Sequence, residues 1–393
     1  MPFRTLHESL LASMAKNSQL LQPPPGEWKP ESPDEFLYFL RKGSLRYLCP
    51  LQPPRDLEAG TPAAYFPLPL EEKWTIQAAA GVQLIQVPAR YMELNNTRQQ
   101  SDRESIGVHE DDISGEVYLD FYRKLREGNY ELPSLPDLAL RIGKAIDDPN
   151  TLNEDIARLI QMDPSLAARV MSVVNSAAFG ATEPIRSLQQ AVTRLGRQQV
   201  RNLVFSCIIK GLFRTDSKTL KARMQALWAH SCRVAAISFV LAKVTPGLDP
   251  NRALLAGLIH DIGAVPILQA ARDDARVNSD PDLLDLIIDN LKSEIGPLTL
   301  AQWNFDEEMI DLTRDAEHWH RIGTALADYQ DVVLLAQLHA YIGKGPRTDL
   351  PAIDSIPAFQ KLALGQLTPQ HSIGVLENAS KDIEEVESIL RNG

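Results

Sequence analysis

The sequence predicts a multi-domain α and β protein, in which a small N-terminal β-roll or barrel precedes an all-α domain. Its 393 residues exceed the usual size of a single core, and 44% hydrophobic residues suffice for two. Prolines and short apolar segments dominate the first 95 residues, whereas a helical apolar period begins at residue 116. We therefore place the β domain at residues 1–95, a linker at 96–115 and the helical domain at 116–393.

Two segments of the N-terminal region each predict a pair of strands. "EFLYFLRKGSLRYLCPL" predicts two strands joined at Gly43, and "KWTIQAAAGVQLIQVPA" predicts two more that meet near Gly81. Glycine favours such turns because it adopts positive φ without a steric cost. We expect the aromatic residues of this region to form its core: Trp28, Phe36, Tyr38, Phe39, Tyr47, Tyr65, Phe66 and Trp74.

The stretch "NNTRQQSDRESIGVHEDDISG" is polar, charged and aperiodic, which indicates a linker. After it, start signals predict at least eight helices. Thr151 with Glu154, and Ser187 with Gln190, fit the capping box, in which two side chains satisfy backbone donors of the first turn. Three further starts offer an Asp cap before a Pro: Asp163, Asp249 and Asp280.

Composition limits the classes of partner and compartment. The formal charge of −11 repels phosphate backbones, so we do not expect a nucleic-acid partner. The N-terminus lacks the pattern of a secretory signal, and no unbroken run of 18 apolar residues occurs, which predicts a cytoplasmic protein without membrane insertion. Cys49, Cys207 and Cys232 form no CxxC pair and are predicted to be buried free thiols.

A His-Asp pair ends the apolar run "LLAGLIHDIG", and a second helix supplies another histidine. The pair His260-Asp261 suits a metal site, because imidazole binds one ion while the neighbouring carboxylate can bridge two and a metal-bound water then becomes a nucleophile. His230, thirty residues earlier, is the third candidate ligand. The other interpretation is a buried polar cluster whose members hydrogen-bond one another.

Two further histidines are candidate extra ligands, His318 and His339. His318 and His320 lie two residues apart, roughly 200° around a helix, so at most one of them would face a common ion if that segment were helical. We assign no catalytic residue and no cofactor, apart from the divalent metal of that site.

Seven motifs in order make residues 116 to 365 resemble the HDOD family of bacterial signalling domains, a branch of the HD superfamily of metal phosphohydrolases. The motifs are "LPSLPDLALRI", "DPSLAARVMSVVNSAAFG", "IRSLQQAVTRLG", "LWAHSCRVA", "LLAGLIHDIG", "IGPLTLAQWNF" and "IPAFQKLAL". The resemblance implies an HD-like helical fold and a non-enzymatic module that transmits signals or holds a protein partner. It names no partner, and the sequence indicates no oligomeric state.

The resemblance also implies a metal site of which part is missing here. The superfamily's His and His-Asp ligands correspond to His230, His260 and Asp261, whereas the later Asp corresponds to Gln337, a neutral amide. Lys292 stands near the position of a further His ligand in cyclic-dinucleotide phosphodiesterases, and an ammonium there would repel a metal ion. The resemblance therefore implies a remnant of a metal site.

The N-terminal strands are faintly similar to the cyclic-nucleotide-binding β-roll. In that family a Gly-Glu pair and an Arg hold the ribose and the phosphate. The corresponding run, "AGTPAAYFPLPLEEKWTIQAA", contains neither the Gly-Glu pair nor an Arg. The similarity thus implies a degenerate roll that binds a protein, an apolar ligand or nothing, rather than a cyclic nucleotide.

Three hypotheses about function follow. The first is a non-enzymatic bacterial signal-transduction protein with an HDOD output domain. The second is a metal-dependent phosphohydrolase or phosphodiesterase that uses His230, His260 and Asp261. The third is a regulator that binds nucleic acid through one helical face formed by Arg194, Arg197 and Arg201. A solvent-exposed helix surface explains these arginines equally well.

Overall fold

The structure is a computed structural model. It describes residues 18–30, 35–49, 52–61, 64, 67–70, 74–89, 123, 132–179, 183–342, 350–362, 374, 376–377 and 379–392. The predicted linker at 96–115 and the aromatic residues Tyr65 and Phe66 lie outside these ranges.

The described N-terminal residues form two antiparallel sheets. The strands are β1 (Gln19–Leu21), β2 (Gly26–Trp28), β3 (Phe36–Lys42), β4 (Ser44–Cys49), β5 (Gln52–Glu58), β6 (Thr75–Ala78) and β7 (Gln83–Pro88). One sheet has the order β1-β7-β3 and the other β2-β6-β4-β5. The four predicted strands are confirmed, and the sequence pattern missed β1, β2 and β5. Proline-containing β5 lies at a sheet edge, where a missing N–H costs no ladder hydrogen bond.

Both predicted turns are corners between the sheets. The chain leaves β3 at Gly43 to enter the second sheet in β4, and it returns from β6 to β7 past Gly81. Gly43 has φ +86°, and an added Cβ would lie 3.0 Å from Cγ2 of Val82. Glycine is needed there because the two corners touch.

The aromatic core prediction holds in part: Tyr38 and Tyr47 are core residues, Phe39 is buried in a separate small cluster, and Trp28, Phe36 and Trp74 are partly buried at the edge of the core. Tyr38 and Tyr47 are 1% and 0% exposed, which places them between the sheets. Edge-to-face contacts join Trp28 to Tyr38 and Trp74 to Tyr47, with ring centroids 5.3 and 5.9 Å apart.

The rest of the described chain is helical. The helices are α1 (Asp137–Asp147), α2 (Asn153–Gln161), α3 (Pro164–Val174), α4 (Leu188–Leu195), α5 (Arg197–Ile209), α6 (Lys218–Lys243), α7 (Pro250–Ile259), α8 (Ala264–Ala271), α9 (Ala275–Asn278), α10 (Pro281–Gln302), α11 (Glu307–Arg314), α12 (Tyr329–Tyr341), α13 (Pro357–Lys361) and α14 (Ser380–Asn392). Single 3₁₀ turns lie at Ala177–Phe179, Lys210–Leu212 and Ile353–Ser355.

Most of the predicted helix starts are confirmed. The carboxylates of Asp163, Asp249 and Asp280 each accept two backbone N–H groups of the following first turn, and a proline opens each of α3, α7 and α10. Ser187 likewise accepts the N–H of Gln190 at the start of α4.

The predicted start at Thr151 is wrong by one residue. The residue before α2 is Leu152, and its N–H donates to the carboxylate of Asp155, so Glu154 is not the acidic partner of a capping box. The side chain of Glu154 instead pairs with Arg158 one turn later. The acidic residue next along the chain therefore takes the capping role.

The centre of the helical domain is the pair α6 and α7. Every residue of α7 except Arg252 and Pro250 is buried. The segment Pro250–Ala271, which spans α7 and α8, contains an 18-residue window apolar enough to cross a membrane, with a mean hydropathy of 1.5, but 94% of that window is buried inside the protein, as expected for core helices.

The loop between α11 and α12 joins the two domains. Ala325 and Leu326 belong to the hydrophobic core of the β sheets. The N–H of Ala325 donates to the carbonyl oxygen of Pro67 at 2.6 Å. A stretch of the helical domain therefore completes the core of the β domain.

Candidate functional site

Two packed helices carry the histidines of the candidate site. Gly257 brings α7 close to α6, because an added Cβ would lie 2.5 Å from Cα of Ala235. His230 lies in the middle of α6, and His260 directly follows α7. The close packing brings the Nε2 atoms of His230 and His260 to 3.3 Å from each other.

The backbone of α7 fixes the orientation of the His260 ring. Nδ1 of His260 lies 2.8 Å from the carbonyl oxygen of Gly257, an acceptor, so Nδ1 carries the proton. In the neutral ring Nε2 is then left with a lone pair. That lone pair accepts a hydrogen bond from His230 or binds a metal ion. The ring of His230 in turn stacks on Tyr341 of α12, with centroids 5.2 Å apart.

Asp261 completes a triangle of donor atoms with the two imidazoles. Its Oδ2 lies 3.3 Å from Nε2 of His260 and 3.9 Å from Nε2 of His230. Within the described part of the chain, these three residues are the one group of three or more His, Cys, Asp or Glu side chains that converge. The point in their plane that is equidistant from the three atoms lies about 2.0 Å from each, a bond length typical of zinc. One divalent ion therefore fits the triangle.

The other oxygen of Asp261 faces a lysine. Nζ of Lys292, on α10, lies 3.1 Å from Oδ1 of Asp261 and 2.7 Å from Oε1 of Glu317. Burial disfavours the Lys292 ammonium, but the charges of Asp261 and Glu317 outweigh burial and raise its pKa. Burial also opposes ionisation of Asp261, yet the ammonium of Lys292 holds the pKa of that carboxyl well below its usual range. A second ion bridged by Asp261 would have to displace this ammonium.

Gln337 has a structural partner. It lies on α12, is 1% exposed, and its Nε2 donates to the carbonyl oxygen of Ala316 at 2.7 Å. Ala316 precedes Glu317, the partner of Lys292. The amide therefore holds α12 against the segment that carries Glu317, a role that a metal-binding carboxylate could not fill because it has no N–H to donate.

The structure does not bring His318 or His339 into the donor group. His318 lies in a turn after α11, where its Nδ1 is 3.9 Å from Oδ1 of Asp315. His320 lies in the same non-helical stretch, so the argument from helical spacing does not apply there. His339 is buried on α12 at 4% exposure, and its ring nitrogens lie outside the triangle.

Burial of His339 is expected to make the free energy of unfolding depend on pH. Burial lowers its pKa to about 4, against an ordinary value of about 6.5. Between these values the unfolded chain binds a proton that the folded chain does not. The contribution to the free energy of unfolding is complete above pH 6.5 and falls by about 2 kcal/mol between pH 7.5 and pH 5.

Denaturant unfolding at those two pH values measures this effect. His339→Gln should remove about 2 kcal/mol from the pH dependence of the wild type. The exposed His320→Gln serves as the control, since it removes a histidine outside the core. An unchanged pH dependence in His339→Gln would contradict the prediction.

Glu317 and Tyr341 are the site residues that sequence reasoning missed. Glu317 lies beside His318 in "DAEHWHRIG", so an acidic residue within that histidine-rich run was the available signal. Tyr341 lies one turn after Gln337 on the same face of α12, which was the corresponding signal for it.

The arginines of the nucleic-acid hypothesis are engaged within the helical domain. Arg194 donates to the carbonyl oxygen of Glu183, Arg197 to Oδ1 of Asn153, and Arg201 to Oδ1 of Asp147. These hydrogen bonds connect α4 and α5 with neighbouring segments. The arginine face thus has a structural explanation.

The helical region matches known proteins. The HDOD domain family matches residues 132–319. An uncharacterized protein of Treponema pallidum (strain Nichols) is 30% identical over 217 residues, which are 52% of this chain and 40% of that protein. The chain therefore spans about two fifths of the length of this relative. The resemblance of the N-terminal strands to the cyclic-nucleotide-binding β-roll stays a prediction.

Solved structures show the same fold. A candidate metal-dependent phosphohydrolase from Shewanella amazonensis SB2B is 22% identical with a TM-score of 0.60, covering 70% of this chain and 99% of that one. An HDOD domain protein of unknown function from Geobacter sulfurreducens is 24% identical with a TM-score of 0.52, covering 70% and 97%. This likeness shows the fold of the helical region, and residues 132–319 match the HDOD domain family.

Proposed function

We propose that this protein is a non-enzymatic bacterial signal-transduction protein that acts in the cytoplasm, with the HDOD domain as its output module for a protein partner. The ion pair between Lys292 and Asp261 is the observation that carries the proposal. The ammonium binds the carboxylate oxygen that would bridge to a second metal ion. A protein cation thus supplies the positive charge there, and no metal-bound water is needed to satisfy the carboxylate.

The polar contacts of this site are consistent with a scaffold. The His260 ring is held by Gly257, Asp261 pairs with Lys292, and Lys292 pairs with Glu317. A buried charge that is paired and hydrogen-bonded is retained without a ligand, whereas removal of one partner is costly. These contacts link the end of α7, α10 and the segment after α11.

A metal-dependent phosphohydrolase or phosphodiesterase is the second candidate function. The donor triangle favours it, because His230, His260 and Asp261 can hold one divalent ion. Such an ion, when bound, would supply a nucleophilic water. In that case Lys292 would keep Asp261 ionised and Gly257 would keep the lone pair of His260 directed at the ion.

Elemental analysis of the full chain decides between the two functions. After purification without chelator, we expect less than about a tenth of an equivalent of Mn, Fe, Ni or Zn per chain. About one equivalent would contradict the non-enzymatic function. Hydrolysis of phosphodiester and nucleotide substrates, lost in His260→Ala with the fold retained, would then establish the second candidate.

Rebuilding the missing ligands should create metal affinity. Lys292→His combined with Gln337→Asp removes one positive charge and adds two ligands, so we expect Zn²⁺ or Mn²⁺ to bind at least about tenfold more tightly than to the wild type. Calorimetric titration measures this. Lys292→Met is the matched control, because it removes the charge without adding a ligand. Equal affinity in the rebuilt variant and Lys292→Met would show that the positions do not converge on one ion.

A further inference from the structure

A balanced network of buried charges lies where the two domains meet. Arg321 donates to both oxygens of Asp328, at 2.7 and 2.8 Å, and to Oδ1 of Asp331 at 3.1 Å. Nζ of Lys361 lies 2.8 Å from both oxygens of Asp331, and neither of these two side chains is exposed. Two cations face two carboxylates, so the network compensates its own charge.

Arg55 is a third cation at this place and stands outside that balance. It lies on β5, is only 9% exposed, and forms no ion pair with a carboxylate among the residues that the structure describes. Its Nη2 donates to the carbonyl oxygen of Ala327 at 2.9 Å, and its guanidinium lies 5.8 Å from the ring centroid of Trp74. A guanidinium offers five N–H donors, so most of them remain for another acceptor.

The helical domain leaves room for this side chain. Gly247 lies against Arg55, because an added Cβ would be 2.5 Å from its Cδ, and Gly247 also adopts φ +81°. A side chain at position 247 would therefore push Arg55 out of the domain boundary. The arginine is held in a defined place by both domains.

Two cavities meet at Arg55. Their volumes are about 470 and 570 Å³, and both are lined by Arg55, Leu326 and Ala327. These volumes are within the range of small-molecule sites. The larger cavity adds two aromatic walls, Trp74 and Tyr329. A buried cation with free donors thus faces space of the size of a metabolite, beside apolar and aromatic surface.

The carboxylates around the larger cavity are already engaged. Glu308 pairs with Arg252, Asp311 pairs with Arg314, and Asp328 pairs with Arg321. In the smaller cavity, Asp56 pairs with Arg46, and Glu58 is an exposed side chain. Arg55 is therefore a buried cation that forms no direct ion pair within the described residues, and the charges of Asp328 and Asp331 act on it only from a greater distance.

We propose that the cleft between the domains binds a small organic anion, whose carboxylate or phosphate group pairs with Arg55 while its apolar part lies against Trp74 and Leu326. Guanidinium recognises both kinds of oxyanion through parallel hydrogen bonds. The site contains residues of both domains, so the bound anion would stabilise their contact. This inference does not depend on whether the HDOD domain is an enzyme.

Calorimetric titration of the full chain with inorganic phosphate and with succinate, at constant ionic strength, tests the proposal. We expect one saturable site per chain for at least one of the two anions, and the stronger of the two identifies the chemical source. Arg55→Gln should weaken that binding by about tenfold or more, because it removes the charge and the paired donors. Arg41→Gln is the matched control, since it removes an exposed arginine of strand β3 that lines neither cavity and should bind like the wild type.

Three results would overturn the proposal. The first is the absence of saturable binding of either anion to the wild type. The second is equal binding by Arg55→Gln and Arg41→Gln, which would indicate a general ionic effect. If Arg55→Gln fails to fold, an arginine-selective dicarbonyl reagent on the wild type replaces it. The anion should then slow the modification of Arg55 more than that of the exposed Arg41. The third overturning result is that the anion does not protect Arg55, or that it protects Arg41 more strongly.

Discussion

Lys361→Met is expected to lower the free energy of unfolding by about 3–5 kcal/mol, because it breaks a fully buried ion pair and leaves a carboxylate behind. Nζ of Lys361 contacts both oxygens of Asp331, and both side chains are inaccessible to solvent. In this variant Arg321 still donates to one oxygen of Asp331, but the same guanidinium also pairs with Asp328. Urea unfolding monitored by circular dichroism measures the loss.

A second substitution separates the ion pair from simple packing. The double variant Lys361→Met, Asp331→Leu lacks both charges of the pair. We expect it to recover more than half of the stability lost in Lys361→Met. Lys243→Met is the surface control, because the pair of Lys243 with Asp382 is about 40% exposed and contributes less than about 1 kcal/mol. If Lys361→Met were as stable as Lys243→Met, the prediction would be contradicted.

Gly263→Ala should be the other strongly destabilising substitution, by about 3 kcal/mol or more. An added Cβ would collide with the backbone carbonyl oxygen of Lys292 and lie 2.7 Å from the backbone N of Gly296. Backbone atoms cannot rotate away as a flexible side chain can. The collision would therefore force α8 and α10 apart and move Lys292 away from Asp261.

Gly211→Ala is the matched control for that collision. Gly211 has no atom within 4 Å of an added Cβ and does not require a positive φ, so its substitution should change stability by less than about 0.5 kcal/mol. Thermal unfolding of both variants against the wild type measures the difference. Similar melting temperatures for the two variants would show that α8 and α10 can separate without cost.

Lys361→Met and Gly263→Ala each disturb the contacts of one end of the same chain segment. The chain from Glu317 to Asp328 binds Lys292 at its start, contributes Ala325 and Leu326 to the β core, and ends at the charge network of Asp331. Lys361→Met therefore acts at the end of the segment that lies between the domains, whereas Gly263→Ala acts near the Lys292 end. Large effects are expected at each because Lys361 is buried against Asp331 and Gly263 lies against the backbone of α10.

Local signals determined much of the helical domain. Asp before Pro started α3, α7 and α10 as predicted, because capping depends on atoms within one turn. The apolar run of α7 likewise predicted burial. By contrast, β1 and β2 have three residues each, and their pairing partners β7 and β6 are distant in sequence. No local pattern can specify such short strands.

At the candidate site, too, the residue types could be predicted from the sequence, whereas their contacts could not. The sequence identified His230, His260 and Asp261 as one group, since a His-Asp pair and a resembling motif order are readable from residue types. It also placed Lys292 near them and predicted repulsion of a metal. The ion pairs of Lys292 with Asp261 and Glu317 were not readable, because they depend on how α10 packs against the segment after α11.

The sequence by itself thus determined the two-part architecture, most helix starts and the identity of the donor residues. The tertiary structure alone decided that Gln337 binds Ala316, that His318 and His339 lie outside the donor group, and that Arg55 meets Ala327 across the domain boundary. The physical reason is the distance along the sequence over which each kind of interaction acts. Capping and periodicity act over a few residues, whereas these contacts join atoms from distant segments, and only close packing sets the distance between them.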